Sequence, residues 1–118
     1  MAHHNITGKG GEALALAYLI RNDFVILHTN WRHSHYEIDV IAHKGNILHF
    51  IEVKTRRSLK FGYPEESVTK KKMESLMNGG EAFLFQNPEW TRIQYDILSV
   101  NLRKKQDPEY FFIEDVSL

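Results

Sequence analysis

Cysteine is absent from the 118 residues. That removes disulfide scaffolds and cysteine-ligated zinc, and it fits a reducing compartment. Long apolar runs are missing as well: nothing approaches the roughly 20 consecutive apolar residues that a spanning helix needs. The opening MAHHNITGKGGE lacks the apolar core of a secretory leader, so a cytoplasmic chain without a membrane segment is expected. There is no low-complexity tract and no internal repeat. Net charge is also lacking, at zero, so no global field draws the chain toward a polyanion.

What is present is ordinary for a globular protein, with 42% apolar and 25% charged residues. The length fits one domain spanning residues 1–118, a size that buries roughly two thirds of the unfolded surface. The charges are unevenly spread, however. From Lys54 to Lys72 there are seven Lys or Arg residues against two Glu, and from Asp107 to Leu118 four acids and no base. A neutral total can therefore hide a local positive surface.

Periodicity predicts a helix over residues 7–22, capped by Thr7 or Asn5, with Ala13, Leu16, Ala17 and Ile20 recurring at helical spacing and Glu12 heading an apolar stripe. Residues 24–31, 36–43 and 47–55 read as three strands, the last two joined by a turn at Lys44-Gly45-Asn46 into an antiparallel hairpin. A loop over 56–66 contains Gly62 and Pro64. A second helix starts near Thr69, with Met73, Leu76 and Met77 inside and a kink or early end expected at Gly79-Gly80. Residues 91–101 and 110–116 read as two more strands, the last at an edge, where Phe111, Phe112 and Ile113 offer a contact for a homodimer. The order α-β-β-β-α-β-β predicts a mixed sheet flanked by helices.

The informative segment is Glu37 to Lys54. Alternation puts Ile38, Val40 and Ala42 on one face of the second strand and Glu37 and Asp39 on the other. On the third strand Glu52 and Lys54 continue a row that begins with Leu48 and Phe50. Charges closing an apolar row are costly unless paired or bound. The turn also sets Asp39 opposite Glu52, where like charges destabilise a hairpin. A cation between them reverses that sign, and carboxylate oxygens suit Mg²⁺ or Mn²⁺. A solvated strand face is the plainer reading of any isolated E-x-K. The Asp, the short turn, the E-x-K and the upstream helix Glu together favour a site. His33 and His35 read as a tolerant polar loop, or as a transition-metal site or a base beside Asp39. Trp31 and Asp96 read as core residues.

The segments GKGGEALALAYL, NWR, EIDVIA, FIEVKTR, FGYPEESVTKKK and YDILSV resemble, in order, the YraN-type family of uncharacterised proteins. That family is similar to the PD-(D/E)xK nucleases, Holliday-junction resolvases among them. The resemblance runs from Gly8 to about Val100, with Tyr36 standing where the family usually has glycine. It implies a restriction-endonuclease-like core, with Asp39, Glu52 and Lys54 in the catalytic positions and Glu12 as the helix carboxylate. On that reading Asp39 and Glu52 hold Mg²⁺ with the Val53 carbonyl, Glu12 joins through water or at a second ion, and Lys54 orients the attacking water. Arg32, Arg56, Arg57, Lys60, Lys70, Lys71 and Lys72 are the expected phosphate contacts. The expected substrate is DNA, with branched forms and RNA as further options. The alternative is a nuclease-fold module that cuts only with a protein partner.

Overall fold

A computed structural model describes residues 2–57 and 69–116, with side chains from residue 10 onward. The elements follow the predicted order: α1 (Ala2–Arg21), β1 (Val25–His33), β2 (Tyr36–Lys44), β3 (Ile47–Arg56), α2 (Lys70–Gln86), β4 (Ile93–Asn101) and β5 (Glu109–Ile113). They build one mixed sheet in the spatial order β1-β2-β3-β4-β5. The first three strands form an antiparallel meander; β4 runs parallel to β3 after the α2 crossover, and β5 returns antiparallel at the edge. The loop expected over 56–66, with Lys60, Gly62 and Pro64, lies outside the described residues beyond Arg57. Among the described residues no helix is long and apolar enough to cross a membrane.

Alternation on the strands feeds two cores. Ala15 and Leu19 of α1 pack on Val40, Ala42, Ile51, Leu98 and Val100. Met73, Leu76 and Phe83 of α2 pack on Ile38, Ile41, Leu48, Phe50 and Ile97 from the opposite face. The β2–β3 turn is a two-residue loop with Gly45 at φ +60, the glycine-first pattern that matches strand twist. Thr69 caps α2, its hydroxyl accepting from the Lys72 N–H at 3.2 Å.

Two helical expectations are corrected. First, α1 begins at Ala2 rather than residue 7, and its inner face is Gly11, Ala15 and Leu19, while Ala13 and Ala17 are exposed and Ile20 is 60% exposed. The run ALALAYLI is apolar all round, so periodicity gives no contrast to orient it. The choice falls to the smallest residue, since a Cβ on Gly11 would sit 2.8 Å from the Thr55 Cβ on β3, and no Thr55 rotamer relieves that. Second, α2 neither kinks nor ends at Gly79-Gly80 but continues to Gln86. Both glycines are buried at close approaches: a Cβ would meet Ile38 at 3.2 Å from Gly79 and the Tyr95 hydroxyl at 2.5 Å from Gly80. The intrinsic cost of about 1 kcal/mol per helical glycine is offset by the packing it permits.

Neighbouring glycines should therefore answer oppositely to the same change. At Gly10 nothing lies within 4 Å of an added Cβ, so Gly10→Ala should raise stability by about 0.5–1 kcal/mol. Gly11→Ala should lower it by about 1–3 kcal/mol. Urea midpoints measure both, and equal shifts of one sign would refute the close-approach account.

Candidate active site

The β2–β3 ladder makes its last backbone pair at Val40 and Ile51, in the register that the sequence implied. One step further on, Asp39 faces Glu52. The Asp39 carboxylate accepts the Val53 N–H at 2.8 Å, supplying a partner where the backbone ladder has stopped. An extended residue points its N–H and C=O to the same side, so the Val53 carbonyl also faces this seam.

Strict alternation, which put Ile38, Val40 and Ala42 on one face, fails here. Ile38 packs on the α2 side and Val40 and Ala42 on the α1 side. Across the β1 ladder, between the pairs Thr29–Val40 and Trp31–Ile38, Asn30 is held at φ +51. Asn tolerates this left-handed conformation better than most residues. The local reversal leaves Asp39 in the seam, reachable from both faces of the sheet. From the α1 side, Glu12, Asn30 and Asp39 line a cavity of about 10 Å³, close to the least volume that holds one water. From the α2 side, Asp39 and Glu52 share an open pocket of about 200 Å³ with His35, Glu37, Lys72 and Ser75.

Asp39 and Glu52 thus line one pocket, close enough for the charge of one to act on the other. Burial, and then the Glu52 charge, push Asp39 up to about 7, against the stabilising Val53 N–H. Burial raises Glu52 as well, opposed by Lys54 and Lys72. Lys54 Nζ stands 3.8 Å from Glu52 Oε2. Its pKa is lowered by burial first and then by Lys72. Two acids and two lysines thus crowd one end of the sheet, each disfavouring its like neighbour.

The structure brings together Asp39, Glu52, Lys54 and Lys72, with Glu12 approaching Asp39 from the other face. Among the described residues no three His, Cys, Asp or Glu side chains form a ready-made metal cage. Arg32 pairs with Glu37 at 3.4 Å on the surface. Arg56 and Arg57 follow at the end of β3, and Lys70 and Lys71 are exposed on the first turn of α2. His33 stacks on Trp31 and bonds Gln86 at 3.2 Å. Asp96 is a core residue as expected: its carboxylate meets the buried His49 Nδ1 at 2.6 Å and accepts from Gln94 and the Asp115 N–H.

From sequence Lys72 reads only as a phosphate contact and His35 as part of a tolerant loop or a base beside Asp39, whereas both line the pocket. The signal for Lys72 was available: Leu76, four residues on, is buried against the sheet, and positions i and i+4 share a helix face.

The model of the uncharacterised protein family UPF0102 matches residues 11–100. A UPF0102 protein of Bacteroides fragilis is 39% identical over 119 residues, covering 95% of this chain and 97% of its own. One from Flavobacterium psychrophilum is 40% identical, covering 90% and 89%. One from Dictyoglomus thermophilum is 40% identical, covering 82% and 83%.

The Asp39 carboxyl binds its proton more tightly in the folded chain than its ordinary value of 3.8. The stability tied to that proton is complete below about pH 4 and is lost as pH rises toward 7. Without divalent ions, Asp39→Asn should raise Tm at pH 7.5 by about 4 °C or more, the effect of about 1 kcal/mol in a domain of this size. The gain should vanish near pH 3.5. A gain equal at both pH values would place its origin outside this charge.

Proposed function

The chain belongs to the uncharacterised protein family UPF0102, and from the site that it carries we propose that it is a divalent-metal-dependent nuclease hydrolysing DNA phosphodiesters. The observation that carries this reading is the seam itself: two carboxylates lining one pocket, the charge of Glu52 acting on Asp39, with Lys54 and Lys72 beside them.

The donor set fits a hard cation. Mg²⁺ is commonly held by one or two carboxylates, several waters and substrate phosphate oxygens rather than by a full protein cage. Asp39 and Glu52 supply the carboxylates, with the Val53 carbonyl at the same seam and Glu12 across a water-sized space from Asp39. Asp39, held near neutrality by burial and by Glu52, gains most from a positive charge placed between them. A bound divalent ion would stabilise phosphate charge and acidify a water.

The chain's own groups do the rest. Lys54, with its affinity for a proton weakened, orients the attacking water or donates to an oxygen as charge builds on the phosphate. Lys72, at the capped start of α2, holds a non-bridging phosphate oxygen, where a helix N-terminus also favours an anion. The two lysines repel each other until that anion arrives, so substrate removes a strain that the free protein carries. Because no three His, Cys, Asp or Glu side chains converge among the described residues, a second reading has the site completed only on nucleic acid or with a protein partner. That module would bind the ion weakly by itself.

Calorimetric titration with Mn²⁺ should give heat with the unaltered protein and none with Asp39→Ala or Glu52→Ala. Lys54→Met should leave the titration in place and lower cleavage at least about 10²-fold on a panel of duplex, flap, junction and RNA substrates. Unchanged Mn²⁺ heats in both acid variants would remove the metal site, and cleavage that survives them would remove the nuclease.

A further inference from the structure

The β4–β5 connection carries a charge pattern that the candidate site does not use, and it lies beyond the span matched by the family model, which ends at residue 100. Strands β3 and β4 run parallel, Lys54 beside Ser99 and Arg56 beside Asn101. They end together, with the Leu102 N–H donating to the Arg56 carbonyl at 2.6 Å. Past that point Arg57 leaves β3, while Arg103, Lys104 and Lys105 leave β4. Arg57, Leu102, Arg103 and Lys104 line one open groove of about 470 Å³. Lys105 and Arg103 line a second with Gln106 and Asp107. The antiparallel run of β2 brings its Asp39 end to this same side, at the carboxyl ends of the parallel pair, where open α/β sheets bind their ligands.

The loop is built to hold its shape. Arg103 donates from Nε at 2.8 Å and from Nη2 at 2.5 Å to the Asp107 carbonyl, closing the turn. Glu109, the acid facing this end from β5, accepts from Asn101 at 3.0 Å and lies 3.8 Å from Arg103. Lys105 is held at φ +58, a strained conformation for lysine. Arg103 thus acts as a staple, and Lys104 and Lys105, both exposed, are presented outward by a fixed turn. Preformed cationic loops lose less freedom on meeting an anion than mobile ones do.

We infer that the β4–β5 loop, through Lys104 and Lys105 together with Arg57, is a second phosphate-backbone contact for the same nucleic acid that the carboxylate seam acts on. The inference rests on the nuclease reading for its substrate and adds the track that the strand follows. From Glu52 to Arg56 the chain advances about 13 Å at strand rise, farther than neighbouring phosphates of one strand stand apart. The loop therefore grips a phosphate other than the reacting one. It contributes affinity and orientation without reading sequence.

The test is binding of a labelled duplex of about 20 base pairs to the full chain in EDTA, followed by fluorescence anisotropy across a salt series. Lys104→Gln with Lys105→Asn, chosen because Asn accepts the φ at 105, should weaken binding several-fold at low salt. It should also flatten the slope of log K against log salt by about two, near one per lost phosphate contact. Lys44→Gln with Arg92→Gln removes the same charge at the opposite end of the sheet and should leave the slope unchanged. Mn²⁺ heats should stay at their original values in both double variants, and Tm should not fall in the loop variant, where Asn relieves the backbone strain at 105.

An unaltered slope in the loop variant overturns the contact while leaving the metal site standing. An equal loss in the Lys44/Arg92 control overturns it too, because net charge alone would then explain binding. No duplex binding by the unaltered protein ends the inference, and Mn²⁺ calorimetry then judges the seam separately. Loss of anionic-vesicle binding by the loop variant with duplex binding intact assigns the loop to a membrane surface instead, and also overturns it.

Discussion

Two negative charges set at one point of a β-hairpin dominate this molecule. Asp39 and Glu52 meet where the β2–β3 ladder has made its last backbone pair, and nothing in sheet geometry relieves their repulsion. The surrounding parts each answer it. The Val53 N–H binds one carboxylate, Lys54 stands beside the other, and α2 begins with Lys72 aimed at the same pocket. Burial makes the repulsion larger because water is excluded. A shared proton relieves such a pair, and on the proposed reading a cation between the two carboxylates would do the same.

The helices reach the seam because they lack side chains where they touch the sheet. Gly11 lets α1 lie against Thr55 of β3, which carries Glu12 to within a water-sized space of Asp39. Gly79 and Gly80 do the same for α2 against Ile38 and Tyr95, fixing the height at which Lys72 arrives. The Tyr95 hydroxyl donates to the Met77 carbonyl at 3.3 Å and is itself pushed up to about 12 by burial and by Glu81. A contact that protects this close packing thus stays protonated throughout the working range.

The element order, the hairpin register and the pairing of Asp39 with Glu52 were legible in the sequence because each rests on a local rule. Period-two patterning marks the strands, a Gly-first turn fixes the register, and register fixes which residues oppose each other. What escaped was set by contacts between elements. The inner face of α1 could not be read from a run that is apolar all round; Thr55, on another element, decides it. Gly79-Gly80 looked like a break because propensity sees the backbone cost and not Ile38 and Tyr95. The reversal at Asp39 depends on Asn30 of the neighbouring strand, and Lys72 joins the site only because Thr69 caps the helix where it does. The cations of the β4–β5 loop went unnoticed because β3 and β4 are distant in sequence, and only their parallel pairing brings Arg57 to Arg103.

The meander of β1, β2 and β3 has a consequence for how the chain reaches this state. Val53 and Asp39 are 14 residues apart, so a single hairpin closure, on the order of microseconds, brings the two acids face to face. The β3–β4 pairing needs the whole α2 crossover, and non-local pairings of that kind form later. The nascent hairpin therefore meets its own repulsion before Lys72 is there to soften it. Refolding speed should track the ionic and acid content of the medium chiefly at this early closure, which ties the tempo of self-assembly to one pair of carboxylates.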